Sequence, residues 1–238
     1  MSEPEPKPDL SQTLARRRFL QRAGAGATLL ALGGVYAIAD DGLFAAAKAQ
    51  TREDGRPRVP PGQRVITALR PMGGQPGDPS KSKHRLRIHG EVDTPLDLGF
   101  RDLLKIAQVT RAEDVHCVTG WTVLGAKWTG VQIETLAKRA GVRESARYVI
   151  FEAAHGYTAN VPIEHALAAN AMVAHKLDEV PLANEHGAPL RAVVPSLYFW
   201  KSAKWLTGIR FVRRDESGYW ERRGYHDRGD PWLEERFG

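Results

Sequence analysis

Cysteine is almost missing from this chain: Cys117 is the only one among 238 residues. One thiol cannot form an intrachain disulfide, and it cannot hold a cysteine-ligated iron–sulfur cluster. The Cys-x-x-Cys-His signature of covalent haem is absent as well, so the sequence offers no obvious second redox centre. There is no His-Glu-x-x-His, no glycine-rich nucleotide loop and no nucleophile elbow, which removes support for a zinc hydrolase or a dinucleotide enzyme. Internal repeats are also lacking. The net charge is only +6, partly in the first residues and otherwise spread, so no nucleic-acid footprint is present. A mildly basic domain of this kind favours small oxyanions. Long, strongly apolar runs are missing too: the uncharged stretch over residues 23–39 is short of the roughly 20 strongly apolar residues of a stable membrane span.

That stretch is nevertheless informative. It follows Ala15-Arg16-Arg17-Arg18-Phe19-Leu20, and paired arginines before a Gly/Ala-rich apolar run predict a twin-arginine export signal over residues 1–49. Small-x-small cleavage sites stand at Ala37-Ile38-Ala39 and Ala47-Lys48-Ala49. The expected location is the periplasm or an equivalent exported compartment, with a membrane-anchored form if the signal stays uncleaved. An exported protein normally uses cysteines in pairs. Cys117 is therefore either a buried filler or a thiolate with a chemical task.

Residues 50–83 are rich in Pro, Gly and charge and read as a linker or surface arm. The ordered domain is expected over 84–238, about 155 residues, enough for one core. Strands are predicted at Leu86 to Val92, Asp114 to Val118 (delivering Cys117 at its end), Tyr148 to Phe151, Ala171 to Ala174, Leu190 to Val194 and Ile209 to Val212. Helical spacing covers Phe100 to Ile106 and Val131 to Ala140, the second stopped by Gly141, and Pro162 opens a short helix. From Gly218 onward an extended, packed tail is expected. Short strands interrupted by short helices predict an α+β fold with a mixed sheet.

Two regions carry chemistry. The first is Cys117, a soft ligand when ionised, with Trp121 and Trp128 near enough in sequence to wall off a dry site. A buried cysteine beside core tryptophans is the alternative. The second is Gly187-Ala188-Pro189-Leu190-Arg191 followed by Lys201-Ser202-Ala203-Lys204, where an arginine fork, a lysine and small residues suit a phosphate. A solvated basic loop is the alternative there. His155-Gly156-Tyr157 reads as a turn that either carries a surface histidine or lines a cleft. His116 reads as a core histidine or as a support to a ligand.

Cys-Val-Thr-Gly-Trp, Trp-Thr-Gly-Val, Gly-Ala-Pro-Leu-Arg, Tyr-Phe-Trp-Lys-Ser-Ala-Lys-Trp and the tail Gly224-Tyr225-His226-Asp227-Arg228-Gly229-Asp230-Pro231-Trp232 together resemble the sulfite-oxidase-fold molybdopterin oxidoreductases. Within them, the set is similar to the small exported branch related to the catalytic subunit of periplasmic methionine-sulfoxide reductase. It spans roughly Leu86 to Phe237. The resemblance implies a Mo-molybdopterin cofactor, with Cys117 as catalytic metal ligand beside the two dithiolene sulfurs, and molybdenum moving an oxygen atom and two electrons. It places Arg191, Ser202, Ala203 and Lys204 at the pterin phosphate and His186 where the reductase has a cofactor-contacting asparagine. Ala153 falls where the reductase has a threonine, and the family's amino-terminal cofactor contacts have no counterpart here. Tyr225, His226, Asp230 and Trp232 are expected to close the domain by packing.

Sulfite oxidases of the family follow the cysteine with Gly-Asn-x-Arg, whereas this chain has Val118-Thr119-Gly120-Trp121, sharing Val and Trp with the reductase. The resemblance therefore implies reduction of an S-oxide or N-oxide, with sulfite oxidation as the alternative. It also implies a separate haem-containing electron-transfer protein as partner. A non-catalytic exported module that binds an anion or cofactor on the same fold is the competing class.

Overall fold

In Arg85–Gly90 every second side chain is apolar, and Leu86 and Ile88 are fully buried while Arg85 and Arg87 face out. That period of two is what a strand with one covered face requires. The same logic builds most of the chain. The computed structural model describes residues 47, 50–52 and 54–238. The chain divides into residues 1–50 and 51–238, and the account below concerns the second unit. The predicted export signal lies outside the described residues, apart from position 47.

In chain order the elements are β1 (Arg64–Ile66), β2 (Arg85–Gly90), β3 (Leu96–Gly99), α1 (Phe100–Leu104), β4 (Val109–Cys117), β5 (Trp121–Gln132) and α2 (Ile133–Ala140). They continue with β6 (Tyr148–Ala153), β7 (Thr158–Pro162), α3 (Ile163–Ala166), β8 (Met172–Leu177), β9 (Val180–Pro181), β10 (Arg191–Val193) and β11 (Leu206–Val212). Two mixed sheets result. One has the order β3-β2-β11-β6-β7, with β2 and β11 parallel. The other runs β1-β5-β8-β10, with β4 on β5 and β9 on β8, and β1 parallel to β5. Few helices, all short, accompany them, as the α+β expectation required. Among the described residues no helix is long and apolar enough to cross a membrane.

The predicted strands are all present, some longer than read. Val131 and Gln132 end β5 rather than opening α2, because their backbones pair with Val173 and Met172 across the sheet. Gly141 ends α2 in a left-handed conformation, φ 64°, as its position suggested. Part of the stretch expected as a linker or surface arm is packed: Val59 and Gln63 are buried, and β1 pairs with Trp121, Thr122 and Val123, while most of residues 67–83 are exposed. Sheet pairing requires backbone donors and acceptors, which composition does not reveal. β4 and β5 shift register between Glu113 and Val115, and a bulge of this kind re-aims the strand end that carries Cys117.

The tail closes the domain through 3₁₀ turns at Glu221–Arg223 and Pro231–Leu233. Trp232 donates to the Pro57 carbonyl at 2.6 Å, and Asp230 pairs with Arg56 at 3.0 Å. Its anchor is a buried ion pair: Lys201 Nζ lies 2.6 Å from Glu221 Oε1, with side chains 0% and 1% exposed. Lys201 also donates to Asn160 Oδ1 at 2.8 Å and to the carbonyls of Asn160 and Asp227. Burial lowers the lysine pKa and the carboxylate opposes that. Removing one member leaves the other charge buried and unpaired. Lys201→Met should therefore cost about 3–5 kcal/mol of unfolding free energy by urea titration, and a loss below about 1 kcal/mol would show the pair to be inessential.

Candidate active site

Cys117 ends β4, Arg191 opens β10, and the turn Ser202-Ala203-Lys204 follows the 3₁₀ turn Phe199–Lys201. The fold brings these ends together around one cavity of about 580 Å³. All six residues read as site residues line it: Cys117, His186, Arg191, Ser202, Ala203 and Lys204. His155 lines it too, while its Nε2 donates to the Pro76 carbonyl at 3.1 Å. His116 does not line it. Trp121 and Trp128 are not the cavity wall either. They pack behind Phe199, at ring distances of 6.5 and 6.3 Å, because Phe199 and Arg191 stand between them and the opening.

Cys117 is 5% exposed yet forms part of the cavity wall. Burial pushes its pKa up. Working against burial are the Thr119 hydroxyl at 3.2 Å, the Thr119 backbone N–H, and the charges of Arg236 and Arg70. The thiol thus sits in a dry place already furnished with groups that favour its anion, the form in which sulfur binds metals.

At another part of the wall the charge is predominantly positive. Arg191 is 1% exposed, and its three hydrogen bonds all go to carbonyl oxygens: Ala192 at 3.3 Å, His186 at 2.9 Å and Ser202 at 3.0 Å. Burial lowers its pKa, and no carboxylate pairs with it among the described residues. Lys204 Nζ likewise donates to carbonyls, of Gly73 at 2.7 Å, Glu185 at 3.1 Å and Met72 at 3.3 Å. Burial first and Arg191 second bring its pKa down to about 8. His186 is also pushed down, by burial and the same two cations. Gly187 sits at φ 105° between them, and a Cβ there would lie 3.1 Å from both Arg191 Cβ and Lys204 Cα. Neither the Ala203 nor the Lys204 backbone N–H has an acceptor among the described residues. A buried guanidinium without a carboxylate partner, a half-buried lysine offset only by the charge of Glu185, and spare amides make a cradle for an anion.

Sequence reasoning missed several lining residues. Met72, Gly73, Gly74 and Gln75 fall in the stretch expected as a linker, because a Gly/Pro composition does not show that the Met72 and Gly73 carbonyls hold Lys204. Trp205 carries no local signal of its place in the wall. It adopts φ 53°, as His155 adopts φ 58°, and a non-glycine residue there stores about 1–3 kcal/mol of strain. The Trp205 carbonyl accepts from the Ala154 N–H at 3.1 Å, and its indole donates to the Asn184 carbonyl at 2.7 Å, which fixes both turns at the cavity. Tyr157, Trp200, Tyr219, Trp220 and Tyr225 complete an aromatic rim.

Among the described residues no group of three or more His, Cys, Asp or Glu side chains is placed to hold a metal. A soft metal at Cys117 would take its other ligands from a bound cofactor. An organic ligand with donor sulfurs at one end, an aromatic body and a phosphate at the other fits this cavity, its single thiol, its rings and its cradle.

Comparison with known proteins agrees with that fit. The family model described as oxidoreductase molybdopterin binding domain matches residues 73–220. An uncharacterized oxidoreductase, YuiH, of Bacillus subtilis (strain 168) is 45% identical over 191 residues, 79% of this chain and 96% of that protein. The protein-methionine-sulfoxide reductase catalytic subunit MsrP of Xanthomonas axonopodis pv. citri (strain 306) is 32% identical over 172 residues, 63% of this chain. That match spans 53% of MsrP, so this chain aligns with about half of it. The sulfane dehydrogenase SoxCD from Paracoccus pantotrophus shares the fold, with a TM-score of 0.54 at 24% identity over 61% of this chain and 41% of that one. The chain belongs to the family of oxidoreductases built on a molybdopterin-binding domain.

Proposed function

We propose that this oxidoreductase is exported and reduces an S-oxide or N-oxide by two-electron oxygen-atom transfer. The net reaction takes the substrate, two electrons and two protons to the deoxygenated product and water. The observation that carries it is that Cys117 lines the same cavity as Lys204 and Arg191, the latter without a carboxylate partner among the described residues. When bound, the molybdenum–pterin group supplies a metal that exchanges an oxygen atom and two electrons. Cys117 would hold that metal, and the Thr119 hydroxyl would donate to its sulfur. Arg191, the Lys204 side chain and the turn Ser202-Ala203-Lys204, through the free backbone N–H groups of Ala203 and Lys204, would hold the phosphate. His186, neutral and in the same wall, would contact the pterin. The aromatic rim would exclude water while substrate is bound.

Reduction is favoured over sulfite oxidation by Trp121. It occupies the place of the arginine in Cys-Gly-Asn-x-Arg, and its side chain is buried away from the cavity. Sulfite oxidation is the second reading, because the Arg70 guanidinium lines the cavity from another segment. With one cysteine and no haem-attachment motif in the chain, electrons would come from a separate haem protein. The twin-arginine pattern supports export, since that route carries folded, cofactor-loaded proteins.

Protein matured in cells that make the pterin should contain about one molybdenum per chain, and a reduced dye should drive turnover of S-oxides or N-oxides. Cys117→Ser should abolish turnover. Metal-free wild-type protein would end the enzyme reading, and turnover of sulfite alone would reverse the direction. In cofactor-free protein the cradle should bind sulfate, an anion that does not titrate near neutrality. Lys204 is charged below about 8 and loses its proton above that value. Sulfate affinity by calorimetry should therefore fall about tenfold as pH rises through that range. Lys204→Met should bind weakly at every pH, and a wild-type affinity independent of pH would remove Lys204 from the cradle.

A further inference from the structure

The loop Cys117–Gly120 is held by residues outside the matched segment 73–220. Its carbonyls are taken one by one. Gln63 Nε2 donates to the Cys117 carbonyl at 3.1 Å, beside the loop's own Gly120 N–H at 3.0 Å. Arg236 Nη1 donates to the Val118 carbonyl. The Arg64 N–H donates to the Gly120 carbonyl at 2.9 Å. One clamp therefore comes from the segment before the family domain and the other from the tail after it.

Gln63 is itself locked. It is 4% exposed, and its Oε1 accepts from the Thr122 hydroxyl at 3.3 Å. The hydroxyl proton is thereby used, so Thr122 Oγ1 accepts from His116 Nδ1–H at 2.9 Å. A directed chain of donors runs from His116 through Thr122 and Gln63 to the backbone of Cys117. The His116 ring is edge-on to Trp232 at 5.0 Å, and Trp232 is covered by Arg52 and Arg56 at 4.3 and 4.2 Å. Arg236, whose guanidinium lies 5.6 Å from the Tyr198 ring and 3.6 Å from Glu234, brings a positive charge to the other side of the loop.

We propose that Gln63 and Arg236 are positioning residues that fix the Cys117 sulfur relative to the cofactor cradle. The inference rests on the reading that Cys117 holds the metal. Neither residue touches the reacting atoms. Each holds a carbonyl within one residue of the sulfur, and a shift there changes the angle at which the sulfur meets the metal. Partners one shell beyond a metal ligand commonly alter activity by roughly 10–100-fold when removed.

The test uses the full-length, metal-loaded protein and the variants Gln63→Leu, Arg236→Met and Arg236→Lys. Metal content is measured first, and its absence from wild type overturns the reading of the site itself, before any variant is compared. With metal present, Gln63→Leu and Arg236→Met should lower kcat by roughly 10–100-fold with KM unchanged. The paramagnetic resonance spectrum of the half-reduced, metal-loaded fraction should change in both, and Arg236→Lys should move back toward wild type. A spectrum identical to wild type in the loaded fraction of both variants overturns the proposal, even if melting temperature or metal content falls, because a purely structural role predicts only those losses. Should one variant fail to accumulate, the other decides, since they act on different carbonyls.

Discussion

The charge of Arg191 is the constraint around which the cavity is arranged. A guanidinium at 1% exposure needs its donors answered, and here three carbonyls take a bond each while two aromatic faces cover the group, leaving two N–H donors for a ligand. Carbonyl dipoles satisfy the donors without cancelling the charge. To supply them, the turn at His186 and the turn at Ser202 must converge on one side chain, and the glycine at 187 is what lets the backbone come that close. Phe199 and Trp128 stack against the same group, so the core behind the cavity is also set by it. The uncancelled charge then faces the opening, with Lys204 adding to it. A site of this kind is costly when empty and improves on binding an anion.

The cavity has two chemical regions, and the strain is placed with them. Cys117 supplies polarisable sulfur in a dry place, while Arg191 and Lys204 supply hard positive charge. Trp205 and His155, both in left-handed backbone conformations, occupy the wall, and a hydrogen bond from Ala154 to Trp205 ties their turns together. Strain of this sort persists only where the surroundings over-determine the geometry. Here they do: the Trp205 indole, the Trp205 carbonyl and the His155 ring each have a specific backbone partner. The wall is thus preorganised and need not order itself when a ligand arrives.

Much of this was legible in the sequence, and the residues show why. Cys117, Arg191 and the Lys-Ser-Ala-Lys turn stand out because a lone thiol and a basic turn with small residues are local chemical statements. Strands such as Arg85–Gly90 and Tyr148–Ala153 were legible because burial on one or both faces leaves a pattern. What could not be read was anything decided by distant pairing. Met72 and Gly73 matter through carbonyls, which every residue has. Thr158–Pro162 contains a polar Asn160 and a terminal proline and carries no strand pattern, yet it pairs with β6, and Asn160 accepts from Lys201 in the core. The tryptophans near Cys117 in sequence were assigned to its surroundings, but strand direction sends them to the layer behind Phe199.

These long-range pairings tie loading of the cofactor to folding of the whole domain. Cavity and loop supports run from Gln63 to Arg236, and the segments that carry them meet only after both sheets have formed and the tail has docked through Lys201 and Glu221. Before that point the chain has a thiol and a few cations, each solvated and separate, and no site. A ligand that binds only the folded form stabilises it by mass action. The gain is larger here than contact area alone would give, because the ligand's negative charge also offsets the buried Arg191 and the half-buried Lys204 that the empty fold must carry. Binding and folding therefore reinforce each other through the same two side chains. A chain with this linkage has good reason to complete both in one compartment.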